Sequence, residues 1–200
     1  MADLEQLLNQ GVEVWNRWRS EHPDELITLS RIALPHVSLP RINLRQANLR
    51  WANLYMSSLN EAILCEADLS EANLIQANLR QADLRRARLL RTELIRAYLD
   101  AAHLDEGDLR YADLYYAELL GAFLNGANLR HAHLGRAILR RAQLRGADLS
   151  HADLSYADLR AADLQDAVLD DADLSHANLQ DATYAEQQLL QARSWSTARR

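Results

Sequence analysis

The hydrophobic positions of this chain follow a five-residue period. Leucine occupies every fifth position from Leu29 to Leu179, which makes 31 consecutive positions without a slip. From Leu49 onward a small residue stands two positions before each leucine, and from position 47 to position 182 it is alanine at 25 of 28 sites. The first four leucines have Ile or Val there instead. The residue between the two is often Asp or Asn. The middle of the chain is therefore a tandem array of five-residue repeats.

Neither an α-helix nor an ordinary β-strand accommodates this period. Five residues advance about 500° around an α-helix, so successive leucines would lie ~140° apart and spread over the whole surface. In a strand, an odd spacing alternates the leucines between the two faces. A coil whose sides are each five residues long places every leucine and every alanine inside. Asp or Asn before the leucine suits the turns, because its side chain bonds nearby backbone.

The charged residues outside the coil indicate how many sides it has. Residues one coil apart lie ~4.8 Å from each other, so opposite charges should recur at that offset. For the arginines between positions 80 and 96, an offset of 20 gives seven favourable pairs and no like-charge pair. An offset of 15 gives three favourable pairs. An offset of 25 gives five favourable pairs and one like-charge clash. We therefore expect four pentapeptides per coil, with little positive charge left unpaired. The expected pairs are Arg80–Asp100, Arg85–Asp105, Arg86 with Glu66 and Glu106, Arg88 with Asp68 and Asp108, and Arg91–Glu71.

The A-(D/N)-L-x-x pattern resembles the pentapeptide-repeat family over residues 27–184. The resemblance implies an all-β solenoid, a right-handed quadrilateral parallel β-helix, here of about eight coils of four pentapeptides. Residues 7–19 also resemble the leader of members abundant in cyanobacteria. Known members of the family include proteins of unknown function, regulators that act through protein contacts, and DNA mimics directed at topoisomerases.

The repeat array divides the chain into three regions. Residues 1–26 are expected to form an N-terminal helical cap, residues 27–184 the β-helix, and residues 185–200 a C-terminal cap or tail. Caps are expected because the end of a solenoid exposes its core and unpaired backbone groups. Three apolar residues of the last region could cover the end or pair with a second copy: Leu189, Leu190 and Trp195.

Both caps carry helix signals. The first 22 residues predict one amphipathic helix, with Asp3 and Gln6 as a capping box and Gly11 as a weak point. Thr183 and Glu186 resemble a second capping box before a short helix. The apolar surface of the first helix is Leu4, Leu7, Leu8, Val14, Trp15 and Trp18.

Composition narrows the function. The net charge is −6, which argues against a nucleic-acid binder, and the 22 basic residues are all arginine. Cys65 is the single cysteine, the start of the chain lacks a basic region, and no apolar run reaches the ~18 residues that span a bilayer. These features predict a cytoplasmic protein.

No nucleophile elbow, phosphate loop or zinc-type spacing is present, and the even repeat leaves no inserted loop for a pocket. We expect no enzyme activity, no small-molecule substrate and no cofactor.

Function must then lie on the outward positions, where an apolar column is the strongest signal. Contiguous exposed apolar surface favours a protein partner or a second copy, and Tyr and Trp are common in binding hot spots. The alternative is that these residues only pack against each other across strands. The candidate partner-binding residues are Trp51, Tyr55, Met56, Ile75, Ile95, Tyr111, Tyr115, Tyr116 and Tyr156.

Two further groups have alternative interpretations. Residues 151–182 contain eight acids and one base, which resembles the DNA-mimicking members and offers a second function, modulation of a DNA topoisomerase. The family-typical Asp before each leucine explains the same composition. The candidate acidic patch is Asp163, Asp166, Asp170 and Asp171. An offset of 20 also stacks His131 on His151 and His133 on Asp153. That corner could bind a metal ion or be a solvated polar ladder, and we assign no metal site.

Overall fold

Residues 28–183 wind into a solenoid whose coils are joined by parallel β-bridges. The computed structural model describes residues 4–200. The bridges run from Thr28↔Asn48 to Asn178↔Arg199, and all of them pair residues 20 apart except the last, which pairs residues 21 apart. Each is a single-residue bridge, one per pentapeptide, and no longer strand occurs within residues 4–200. The offset of 20 that the charge pattern predicts is therefore confirmed, and a coil contains four pentapeptides.

Each coil has four sides and four corners. A side consists of the small residue, the bridge residue and the leucine, and two turn residues then form the corner. We name the sides after the leucines of one coil as the Leu49, Leu54, Leu59 and Leu64 sides, each recurring every 20 residues. The Leu54 and Leu64 sides are opposite each other.

The interior contains the leucines and the small residues. Thirty of the 31 leucines are buried, and Leu34 in the first coil is partly buried. Burying a leucine stabilises the fold by about 1.5–3 kcal/mol. Polar small residues satisfy their hydroxyl groups inside: Ser57 donates to the Leu54 carbonyl at 2.7 Å, and Thr92 to the Leu69 carbonyl at 2.8 Å. The core therefore accepts a hydroxyl where a backbone oxygen is within reach.

The corners combine a left-handed residue with a side-chain cap. The second corner residue has a positive φ at nearly every repeat, for example 57° at Trp51. Where the bridge residue is Asn or Asp, its Oδ1 accepts the N–H of the first corner residue, as Asn48 does from Arg50 at 3.2 Å. The expected role of Asn and Asp in the turns is thus observed.

Two helices precede the solenoid: α1, Leu4–Asn9, and α2, Val12–Glu21. They are separated at Gly11, whose φ of 100° is outside the helical region. The expectation of one helix is wrong, because the glycine interrupts it instead of only weakening it. Asp3, one half of the expected capping box, lies outside the described residues.

Helix α2 packs on the first coil. Trp15 is fully buried, and its Nε1 donates to the Asn43 carbonyl at 2.7 Å. Asn16 accepts the Asn43 N–H at 2.8 Å and donates to the Arg41 carbonyl at 2.9 Å. These side chains satisfy backbone groups that would otherwise form the open edge of the ladder.

Helix α3, Glu186–Gln191, and a 3₁₀ turn, Trp195–Thr197, follow the repeats. The residue before α3 is Ala185, whose N–H donates to Oε1 of Gln188 at 2.6 Å. The predicted capping box of Thr183 and Glu186 is therefore wrong.

The same glutamine ties α3 to the last coils. Its Nε2 donates to the carbonyls of Leu164 at 2.9 Å and Ala167 at 2.6 Å. Leu189 is buried against the core, whereas Leu190 is 62% exposed. One of the two leucines covers the end, and the other points to solvent.

Candidate functional site

The nine candidate partner-binding residues lie on the two edges of one side of the solenoid. Residues 50–51 and their equivalents form one edge of the Leu54 side, which we call the Trp51 edge. Residues 55–56 and their equivalents form the other, the Tyr55 edge. The sequence indicated a column of Tyr and Ile residues but not whether it lies along a side or a corner. The structure places them at a corner, because the two residues after each leucine are turn residues.

The Tyr55 edge presents aromatic rings and aliphatic side chains. Its exposed members are Met56, Tyr115, Tyr116 and Tyr156, at 40–52% exposure. Tyr55, Ile75 and Ile95 are the first residues of their corners and are half-buried.

Two tyrosines of this edge form a compact pair. The rings of Tyr115 and Tyr116 meet edge to face, with centroids 4.5 Å apart. The Tyr115 ring lies over Gly135 one coil on, where a Cβ would come within 3.2 Å of the ring. The Tyr115 ring can therefore lie over Gly135 only because that residue has no side chain.

Arginines lie among the rings of the Tyr55 edge, and these arginines are not among the candidates predicted from the sequence. Arg96 lies 5.7 Å and Arg136 5.7 Å from the Tyr116 centroid, and Arg136 lies 4.8 Å from that of Tyr156. The His176 ring stacks on Tyr156 at 4.8 Å. Within residues 4–200, no carboxylate lies within 4.0 Å of either guanidinium. The signal that could have identified them is their corner position, 20 residues from each tyrosine.

The Trp51 edge has the same composition. Arg31 and Arg50 lie 5.0 and 4.5 Å from the Trp51 ring centroid, and Arg91 lies 5.7 Å from that of Tyr111. Trp51 is 42% and Tyr111 48% exposed. Both edges of the Leu54 side therefore combine exposed rings with guanidinium groups.

A stack of rings continues the Trp51 edge. Tyr111 stacks on His131 at 4.8 Å, and His131 on His151 at 4.8 Å with an interplanar angle of 5°. Nδ1 of His151 lies 3.8 Å from Asp171. The expected stacking of the two histidines is confirmed. In-plane lone pairs of parallel rings do not converge on one ion, and no group of three or more metal-ligating side chains occurs in the described part of the chain.

The acidic candidates do not form one patch. Asp163 and Asp166 lie on the Leu64 side and its following corner, both within 3.9 Å of Arg145. Asp170 and Asp171 lie on the Trp51 edge, and Asp171 is 3.9 Å from Arg193. Asp166, Asp170 and Asp171 remain exposed.

The ion pairs between coils agree only in part with expectation. Arg80–Asp100 and Arg86–Glu106 are both observed at 2.8 Å. These two confirm that charges pair one coil apart, and all of these side chains except Asp100 are more than a third exposed.

The other expected pairs do not form ion pairs within 4.0 Å among the described residues, although three of them still interact through their charges: Arg85–Asp105, Arg86–Glu66 and Arg88–Asp108. Arg85 binds Asp83 on its own coil, because the carboxylate two residues earlier is within reach. Asp105 accepts a hydrogen bond from the Asn125 N–H instead. Arg88 and Arg91 have no ion pair among the described residues. More positive charge is therefore left without an ion pair than we expected, and guanidinium groups such as those of Arg88 and Arg91 remain on the surface.

Cys65 is the one thiol of the chain. It is half-buried, and burial followed by the charge of Asp83 raises its pKa. A thiol with a raised pKa is a poor nucleophile at neutral pH. This environment is that of a structural cysteine.

The single-bridge ladder with buried leucine and alanine defines a β-helix solenoid. The chain belongs to the pentapeptide repeats family, whose model matches in eight copies. The matched residues are 29–65, 62–99, 92–130, 124–160 and 152–183.

Solved structures of the same family resemble the chain. HetL, a pentapeptide repeat protein involved in heterocyst differentiation regulation from the cyanobacterium Nostoc sp. strain PCC 7120, is 32% identical over 92% of each chain, with a TM-score of 0.53. The protein alr5209 from Nostoc PCC 7120 is 35% identical over 57% of this chain and 84% of its own, with a TM-score of 0.26. QnrB1, a plasmid-mediated fluoroquinolone resistance protein, is 15% identical over 82% of this chain and 94% of its own, with a TM-score of 0.42. A comparison with curated proteins finds no match. No helix within residues 4–200 has the length and apolar character to cross a membrane.

Proposed function

We propose that this protein is a non-catalytic interaction module that binds a protein partner through the two edges of its Leu54 side. The observation that carries the proposal is the juxtaposition of exposed rings with unpaired arginines on both edges. Tyr, Trp and Arg are the residues that dominate binding energy at protein interfaces. The similarity to HetL, which is involved in the regulation of differentiation, supports a regulatory setting.

The charges indicate what the partner presents. Arg91, Arg96 and Arg136 lie beside Tyr111, Tyr116 and Tyr156. None of the three arginines has a carboxylate within 4.0 Å among the described residues. A partner segment that combines acidic and apolar side chains would pair the guanidinium groups while it covers the rings. A second copy of the chain is the other occupant, and the test below separates the two.

The same proposal includes the organisation of the chain. We infer about eight coils over residues 27–184, with residues 1–26 as an N-terminal cap and residues 185–200 as a C-terminal cap. The contacts of Trp15 and Gln188 with coil backbone support both caps. We place the protein in the cytoplasm because Cys65, its single cysteine, is a free thiol.

The acidic coils support a second candidate function, modulation of a DNA topoisomerase by charge mimicry. The supporting observation is the exposure of Asp166, Asp170 and Asp171. Against it, Arg145 and Arg193 lie within 4.0 Å of two of these carboxylates and reduce the local charge. Replacing the three aspartates by asparagine should abolish modulation of the topoisomerase under this alternative. Under the first proposal, the same variant should still bind the protein partner.

The test is affinity capture from native lysate followed by binding measurements with the purified captured protein. The bait is wild type, Ile95→Arg or Ile63→Arg. Ile63 is a matched control, because it is 38% exposed and lies on the opposite side. We expect Ile95→Arg to weaken binding by about tenfold or more, the loss of one hot-spot contact, and Ile63→Arg by less than about twofold.

Two results would contradict the proposal. A partner that binds wild type and Ile95→Arg equally would show that the rings only pack against one another. A captured protein that is this chain itself, with a dimer in light scattering that Ile95→Arg dissociates, would replace the protein partner with a second copy.

A further inference from the structure

A cleft of about 220 Å³ lies at the corner between the Leu59 and Leu64 sides. It is away from both edges of the Leu54 side. Ala161 stands one coil after Arg141, and Asp181 stands two coils after it. The methyl group of Ala161 leaves the space between them open. The lining residues are Arg140, Arg141, Arg160, Ala161, Gln180 and Asp181.

Two of the three arginines in this cleft form no ion pair within 4.0 Å among residues 4–200, although the charge of Arg140 does act on Asp158. Arg140 and Arg141 are exposed, and within residues 4–200 neither guanidinium has a hydrogen bond or an ion pair. The coil before them carries Leu120 and Gly121 at the equivalent positions, so no carboxylate is available there. Arg160 is different, because it forms a two-bond contact with Asp158. The free positive charge therefore lies at one end of the cleft.

The backbone adds a donor at the same end. At most corners, Asn or Asp in the bridge position accepts the N–H of the first corner residue, as Asp158 does from Arg160 at 3.3 Å. The bridge residue before Arg140 is Ile138, which has no acceptor. Elsewhere the preceding coil can supply one, as Asp100 does for Leu120 at 3.1 Å. For Arg140 that position is Leu120, so its N–H has no acceptor among the described residues.

The neighbouring corner shows that an arginine pair need not be free. Arg85 and Arg86 occupy the same two corner positions, and both are neutralised, by Asp83 and Glu106. The Arg85 N–H also donates to Asp83 at 3.2 Å. The difference between the two corners is therefore in their surroundings.

We propose that this cleft binds a small hydroxylated phosphate monoester. Two guanidinium groups and a backbone N–H match the charge and the several acceptor oxygens of a phosphate dianion, whereas a carboxylate would compensate only one arginine. Asp181 repels the phosphate, so the phosphate lies at the Arg140 end and the ligand's hydroxyl groups bond to Asp181 and Gln180. This site goes beyond the proposed function and does not depend on it.

Calorimetric titration of the full chain at low salt tests the site, with inorganic phosphate, glycerol 3-phosphate and glycerol as probes. We expect both phosphates to bind and glycerol not to bind. Arg140→Gln with Arg141→Gln should weaken binding by about tenfold or more, because two charge-assisted hydrogen-bond donors are lost. The double variant Arg85→Gln, Arg86→Gln is the matched control, since it makes the same charge change at paired arginines and should alter binding by less than about twofold.

Asp181→Asn supplies a second readout. It should strengthen binding of inorganic phosphate and reduce the preference for glycerol 3-phosphate, because it removes both the repulsion and the hydroxyl acceptor. Absence of heat with wild type up to about 10 mM phosphate would overturn the proposal, as would an equal loss in the Arg85, Arg86 control. Ile95→Arg should leave phosphate binding unchanged, so this test does not share the fate of the partner-binding proposal.

Discussion

Replacement of Trp15 by alanine tests whether helix α2 holds the first coil together. The Trp15 side chain is fully buried, and its Nε1 donates to the Asn43 carbonyl at 2.7 Å. Truncating a buried tryptophan to alanine costs about 3–5 kcal/mol, and leaving a buried carbonyl without a donor costs about 1–3 kcal/mol more. Water can reach the end of a solenoid once the ring is gone, which favours the lower end of this range. We therefore expect a loss of about 4 kcal/mol in the free energy of unfolding.

Urea unfolding at pH 7 measures this loss, and Trp51→Ala is the matched control. Trp51 is 42% exposed and contacts two arginines, so its removal should cost about 1 kcal/mol. Trp15→Phe keeps the buried ring but removes the donor, and should cost about 1–3 kcal/mol. Hydrogen exchange at the Asn43 amide should accelerate in Trp15→Ala before exchange in the middle coils does. If Trp15→Ala costs no more than Trp51→Ala, α2 does not stabilise the first coil.

Two further predictions concern the corners. Ala101 has a left-handed φ of 53°, which costs a residue with a Cβ about 1 kcal/mol relative to glycine, so Ala101→Gly should raise the unfolding free energy by about that amount, and a lower urea midpoint would contradict this. Arginines two residues later hold the pKa values of Asp83, Asp108 and Asp158 below their ordinary range, so these carboxylates contribute stability above about pH 4 that is lost as the pH falls through their lowered pKa values. The triple Asp→Asn variant should be less stable than wild type at pH 7 and should lose less stability on acidification below about pH 4. Urea midpoints between pH 7 and pH 2.5 that run parallel for the two proteins would refute it.

The interior of the fold could be predicted from the sequence because one geometric constraint determines it. A period of five fits neither helix nor strand, and the charge pattern selects four sides, so the bridges pair Asn48 with Asp68 and continue at the same offset. The ends obey no repeat. The break at Gly11 depends on the backbone conformation of one glycine, and the cap of α3 depends on a single side chain, that of Gln188, which accepts the Ala185 N–H.

The columns of the candidate site were also predictable, since the offset of 20 places each outward residue above its equivalent. The stacking of His131 on His151 that this offset predicts is observed. What the offset does not give is the direction in which a long side chain extends. Arg85 reaches Asp83 on its own coil, and Arg136 lies over the rings of tyrosines in the adjacent coils. Pairing every charge at one offset therefore overestimated how much positive charge is neutralised.

Regular backbone bonding explains where such a rod can acquire function. The N–H of the second corner residue donates to the next coil, as that of Arg141 does to the Arg160 carbonyl at 2.9 Å. The N–H groups of the bridge residue and the leucine also bond between coils, and that of the small residue donates to the preceding leucine, as Ala142 does to Leu139 at 3.0 Å. The N–H of the first corner residue is the donor whose partner depends on a side chain. Asn or Asp in the bridge position occupies it, and a residue such as Ile138 does not. Sites for small anions in this fold should therefore be sought at corners where the bridge residue is neither Asn nor Asp and the adjacent side chains lack ion pairs.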